Sequence, residues 1–296
     1  MQPAEFWKKD KIILYFFSAL KYNPIINRKR KGTMIMKKWM AFLLAAAMVC
    51  VLFTGCGKAS GTDSDLAYVQ DKGVLVVGIT EYAPMDYRDE DGQWTGFDAE
   101  FAQLFAEKLG VKCEFYLIAD WTKKFVELDT KQIDVVWNGM TICDDALPNS
   151  SVSDPYVINA QVVVMKADAV GNYKTPESLS GLSVAVENGS VGQTAANAIA
   201  GAKVIPVGDQ AAALLEVKSG AADACVIDIT MAYAMTGEGT NYADLAPGLK
   251  LTEEFYGVSF RKGSDMTAML NEFMAELKEN GTLQDMADRY KLTLAE

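Results

Sequence analysis

The stretches VELDTKQIDVVWNG (residues 126–139) and LEVKSGAADACVID (residues 215–228) follow one plan: a helix end, a polar turn, an aspartate, an apolar strand and a polar strand end. Asp134 and Asp223 hold the same place in that plan, as do Gly139 and Asp228. Two further runs, VLVVGIT from Val74 and LSVAVENG from Leu182, each read as an opening strand ahead of these segments. A chain that repeats such a plan is expected to build two similarly constructed α/β lobes. In open α/β sheets the ligand sits beyond the carboxyl ends of the strands. The repeat therefore points at residues 80–85, 138–141, 188–191 and Asp228 as the places where a site would form.

The rest of the pattern agrees with this reading. VLVVGI is a continuous apolar run bounded by Gly73, as a strand buried on both faces requires. Phe97, Phe101, Leu104, Phe105 and Leu109 recur at helical spacing, with Asp98 near the start and Gly110 just past the end. Strand-like and helix-like stretches then alternate through residues 112–118, 121–129, 133–137, 161–166 and 183–187, which is the signature of an α/β fold. The C-terminal segment, from FYGVSFRKGSD to TLQDMADRYKL, carries its own strand and helices and is expected to return to the first lobe.

Composition narrows the function. Residues 1–55 hold ten Lys/Arg and two Asp/Glu, which leaves eighteen against thirty-seven, about −19, from Cys56 onward. A body this acidic repels phosphate backbones, so nucleic acid is excluded as a partner. The chain has no histidine, and Cys113, Cys143 and Cys225 form no CxxC pair, so neither a zinc site nor a histidine-dependent catalytic set is expected. No cofactor or metal is expected either. Cys113 and Cys225 sit in apolar strand-like runs and read as small buried hydrophobes.

The N-terminal region reads as an export signal. Lys37 and Lys38 precede an apolar stretch from Trp39 to Phe53, and LFTGC (residues 52–56) is similar to a bacterial lipoprotein box, with Cys56 as the residue to be lipidated. Residues 34–55 are thus the expected signal peptide. Residues 1–33 do not fit a signal, and a true start at Met34 or Met36 is expected. Residues 56–70, beginning CGKASGTDSD, read as a flexible tether. The body is expected outside the cell, anchored by lipid to the outer face of the membrane.

At the level of motifs the chain resembles the extracellular solute-binding proteins of polar amino-acid ABC importers, family 3 of the bacterial solute-binding proteins. The resemblance runs through VLVVGITEYAPMDYRDEDGQWTGFDAEFAQLFAEKLGV, DVVWNGMTI, SDPYV, LSGLSVAVENGSVGQ, VKSGAADACVID, YGVSFRKGSD and LKENGTLQDM, in that order. It implies an α/β, two-lobed periplasmic-binding-protein-like fold with a ligand cleft between lobes joined by two crossovers, near residues 159–161 and 251–255. Lobe 1 would comprise residues 71–160 and 255–296, and lobe 2 residues 161–254. The implied function is capture of a small polar solute, an amino acid, by a monomer that delivers it to an ABC permease.

Site residues follow from the resemblance one position at a time. Tyr82 and Trp121 fall where the family has aromatic walls, so their rings would sandwich the ligand side chain. Asn138, Gly139 and Thr141 match the segment offering backbone and hydroxyl groups to the head group. Ser190 and Val191 lie at a helix start suited to a carboxylate, and Asp228 matches the acceptor of the α-ammonium. Met85 replaces the family's usual Phe, and Val191 a Thr or Gly. Ala146 stands where many members carry an arginine that grips the α-carboxylate. Lys124 is then the nearest candidate cation, among Glu81, Glu187 and Asp228 as possible anions. Two accounts stay open: Lys124 and the Ser190 helix end replace the arginine, or the solute is cationic or lacks an α-carboxylate. A dehydratase-like enzyme on the same scaffold would have only Glu81, Glu187 or Asp228 as acid or base. A sensor would need a membrane-spanning output segment, and a stand-alone receptor is expected instead.

Overall fold

The computed structural model of the chain describes residues 64–296. The start codon, the export signal, Cys56 and the first part of the tether lie outside the described residues. In chain order the strands are β1 (Val74–Ile79), β2 (Tyr87–Arg88), β3 (Trp94–Thr95), β4 (Lys112–Leu117), β5 (Val135–Val136), β6 (Ser151–Val152), β7 (Val157–Asn159), β8 (Gln161–Lys166), β9 (Ser183–Glu187), β10 (Lys203–Val207), β11 (Ala224–Asp228), β12 (Leu245–Lys250), β13 (Glu254–Tyr256) and β14 (Ser259–Phe260).

Two five-stranded sheets organise the chain, in the orders β4-β1-β5-β14-β6 and β10-β9-β11-β8-β12. In the first, β1 pairs parallel with β4 and β5, while β14 runs antiparallel between β5 and β6 and so places a C-terminal strand in the N-terminal sheet. In the second, β9 pairs parallel with β10 and β11, and β8 runs antiparallel to β11 and β12. A third, two-stranded sheet joins them: β7 and β13 pair antiparallel, Asn159 opposite Glu254 and Tyr256 opposite Val157. The chain crosses between lobes just after β7 and again just before β13, giving a two-strand hinge.

Local chemistry accounts for the first lobe. Leu75, Val77 and Ile79 of β1 are fully buried beneath the helix Phe97–Leu109, whose Phe97, Phe101 and Phe105 are also fully buried. Phe101 meets Trp137 with ring centroids 4.8 Å apart. Burying each such ring is worth about 2–3 kcal/mol over leaving it exposed. The helix begins at Gly96, φ 119°, where a Cβ would collide with the Met85 carbonyl, so only glycine fits.

The tether expectation needs correction from Asp65 onward. Residues Asp65–Lys72 form a helix, with Ser64 accepting the Ala67 N–H at its start and Gly73 closing its end at φ 74°. Charged partners far along the chain hold it: Asp65 pairs with Arg261 at 2.8 Å, and Lys72 pairs with the buried Asp134. Of the residues that read as a linker, Ser64 and Asp65 open a capped first turn, and Val69 enters the core.

Candidate functional site

A cavity of about 490 Å³ lies between the lobes, lined from one side by the turn at Trp121 and the loop after β5, and from the other by the ends of β9 and β11. Its walls are therefore strand ends and helix starts, the positions that the α/β architecture leaves open. The lobes also touch at its edge: a Cβ on Gly189 of lobe 2 would come within 2.6 Å of Thr122 Cγ2 of lobe 1.

Asp120 sets the first wall. Its carboxylate accepts the Thr122 N–H at 3.0 Å and hydroxyl at 2.6 Å, which starts the 3₁₀ turn Trp121–Lys123 and holds Trp121 at the cavity with only 8 % exposure. Lys124 follows at the head of the helix Lys124–Asp129. It is 6 % exposed and lies over the rings of Trp121 and Phe125, 5.0 and 4.8 Å from their centroids. Its Nζ donates to the Trp121 carbonyl at 3.4 Å and lies 4.0 Å from the carboxylate of the largely exposed Asp145. Burial pulls the Lys124 pKa below the usual lysine range, against the field of Asp145. Among the described residues lining the cavity, Lys124 is the one cation.

Asp228 ends β11 on the opposite lobe. Asn159 and Gln161 donate to its Oδ1 and Gln210 to its Oδ2, so three neutral amides fix the carboxylate in place. Burial, with the nearby Glu254 adding to it, pushes its pKa up to about 6. Ser190 caps the helix Val191–Asn197, its Oγ accepting the Gln193 N–H at 3.0 Å, which leaves the hydroxyl proton free to donate. Val191 lines the cavity beside it.

Other assignments change. Tyr82 does not line the cavity: its ring packs beneath Gly139, 2 % exposed, and its hydroxyl bonds to Thr230 and Tyr256. The expected sandwich of Tyr82 and Trp121 is therefore not formed, because a buried hydroxyl takes partners inside the fold rather than facing a solute. The Asn138 side chain is engaged within lobe 1, with Thr80 and Asp86. The Gly139 N–H donates to Asp98 at 2.6 Å. Thr141 lines the cavity, and its hydroxyl donates to Glu254 at 3.0 Å. Asn138 and Gly139 thus line the cavity with the very groups assigned to a head group already engaged. Glu81, another candidate anion, lies near Arg88 at 3.8 Å and is not among the residues lining the cavity. Gln161 and Gln210 were missed. Neither carries a sequence signal, since each acts by orienting Asp228 from a different element.

Residues 75–293 match the profile of the bacterial extracellular solute-binding proteins, family 3. The chain belongs to this family. The L-cystine-binding protein of Escherichia coli (strain K12) is 30 % identical over 83 % of this chain and 94 % of that protein. The arginine-binding extracellular protein of Bacillus subtilis (strain 168) is 28 % identical over 86 % of this chain and 98 % of that protein. A solved ancestral amino acid-binding protein, described as a precursor of cyclohexadienyl dehydratase, superposes with a TM-score of 0.70 at 32 % identity, covering 77 % of this chain and 99 % of that one. The two-lobed architecture is thus a family 3 solute-binding fold.

Proposed function

We propose that this family 3 protein captures an amino acid in the interlobe cavity and hands it to an ABC permease. One observation carries the reading: the cavity presents one buried cation, Lys124, from the first lobe and an amide-fixed carboxylate, Asp228, from the second. That arrangement complements a zwitterion. Asp228 takes the α-ammonium in charge-assisted hydrogen bonds, while Lys124 and the Ser190 hydroxyl take the α-carboxylate. Lys124 lies 4.0 Å from Asp145, the neighbour of Ala146, the position at which the resemblance implies an arginine in many members. Trp121 supplies the apolar wall. Binding between lobes joined by a two-strand hinge supports release by opening. In this reading the protein is lipid-anchored through Cys56 outside the cell, acts as a monomer and converts nothing.

Native mass spectrometry of the full chain as purified, followed by calorimetry with the free amino acids, tests the proposal. An amino-acid mass on the protein, displaced unchanged, is the expected result. Failure of every amino acid to bind, or recovery of a converted product, would overturn it. Replacing Cys56 by Ser should move the protein from the membrane fraction to the medium; retention at the membrane would refute the anchor.

A further inference from the structure

Glu187 is the last residue of β9 and lines the interlobe cavity while only 4 % exposed. Its Oε1 has no hydrogen-bond partner among the described residues. A buried polar atom left unpaired is costly and calls for a partner. Asp228, the other deeply buried carboxylate of the cavity, differs in having three amide donors. Lys124, the one cation of the described lining, belongs to the opposite lobe and lies beside Asp145. If an amino acid occupies the cavity as proposed above, its ammonium satisfies Asp228 and its carboxylate Lys124. The side chain is what remains to face Glu187. Resting on that reading, we infer that Glu187 reads the side chain and selects an amino acid carrying a second cation, an ammonium or a guanidinium group.

The charges around Glu187 favour such a ligand. Asp228 from β11 and Asp209 ahead of the helix Gln210–Ser219 both repel its negative form, and Lys124 across the cleft only partly offsets them. Burial first, and these neighbours second, push its carboxyl up to about 8. In the empty cavity near neutrality Glu187 therefore holds its proton, and an arriving cation displaces it. A neutral side chain of the same shape leaves the carboxyl without that partner, and buried polar groups discriminate strongly against analogues that fail to pair them.

Calorimetry on the full chain with two isosteric pairs tests the assignment: arginine against citrulline, and lysine against norleucine. The charged member of at least one pair should bind about 100-fold more tightly. Its binding at pH 7 should release protons, read as a difference in heat between phosphate and Tris buffers. Glu187→Gln keeps size and fold, so its melting temperature serves as the folding control. It should shrink the preference to less than about tenfold and abolish the proton release. Equal affinity within both pairs overturns the inference while leaving the amino-acid reading standing, as does a Glu187→Gln chain that keeps both the preference and the proton release. If no amino acid of any side-chain class binds, the amino-acid reading itself fails.

Discussion

Replacing Lys124 by Met should move stability and affinity in opposite directions. Methionine keeps most of the length of this buried side chain and removes the charge that lies over the Trp121 and Phe125 rings. The ammonium has three protons to satisfy, yet it finds a single long bond, 3.4 Å to the Trp121 carbonyl, and an exposed carboxylate at 4.0 Å. Its desolvation is therefore incompletely offset. The sign follows from the pKa direction: burial lowers the Lys124 pKa below its unfolded value, so the charged group subtracts from stability at neutral pH. That loss is relieved only as pH rises toward the unfolded lysine pKa. Against the weak compensation from ring contacts, the net cost is about 1–2 kcal/mol. Lys124→Met should thus raise the melting temperature of the solute-free protein by about 2–8 °C. Affinity should fall, because a solute carboxylate loses its buried cationic partner, a loss of about 2–5 kcal/mol. That corresponds to about 30-fold to several thousand-fold weaker binding. Differential scanning calorimetry on ligand-stripped protein and titration calorimetry with the co-purified solute measure the two effects. A variant that melts lower and binds as before would refute the reasoning, since Lys124 would then be a structural residue.

Three further outcomes follow from the same geometry. Glu187 and Asp228 have folded pKa values raised to about 8 and about 6, so their contribution is fully present below their unfolded values near pH 4 and is lost as pH rises. Melting temperature of the solute-free chain should accordingly fall between about pH 4.5 and 8, and Glu187→Gln should flatten that slope; a slope unchanged in the variant counts against the assignment. Tyr82 from lobe 1, Thr230 from lobe 2 and Tyr256 from the hinge share one buried hydroxyl cluster, so Tyr82→Phe should cost about 1 kcal/mol and enlarge the solute-free protein in small-angle scattering. An unchanged radius of gyration would show that the cluster does not hold the lobes together. Gly139 has φ 53° and no room for a Cβ against the Tyr82 and Tyr256 rings; Gly139→Ala should lower stability by more than about 1 kcal/mol, checked by denaturant titration, and wild-type stability would refute the packing argument.

The buried acids behind the loop after β5 show why part of the site escaped the sequence. Asp98 reads as an acidic residue near a helix start, yet it is fully buried and accepts bonds from the Gly139 N–H and the Tyr156 hydroxyl. Burial raises its pKa, and also that of Asp86, which accepts from the Asn138 amide. Together they turn an expected ligand-facing loop into one anchored from behind. Tyr82 changes role for a related reason: the partners of its hydroxyl come from residues 148 and 174 positions away. No local pattern reveals such distant pairing. Lys124 moved in the opposite direction, from the nearest candidate cation in the sequence to a buried wall of the cavity, because the turn capped by Asp120 aims it inward.

By itself the sequence determined the two-lobed α/β plan, since strand and helix periodicity and the repeated strand ends at Gly139 and Asp228 are local properties that burial only has to obey. It also pointed at those strand ends as the place for a site, and the family resemblance offered Trp121, Lys124, Ser190 and Asp228 among its candidates. Only the tertiary structure decided which groups remain free to meet a solute. Whether a polar atom faces the cavity or is already paired depends on residues far apart in the chain. That pairing engages Tyr82, Asn138 and the Gly139 N–H inside the fold and leaves Oε1 of Glu187 without a partner among the described residues.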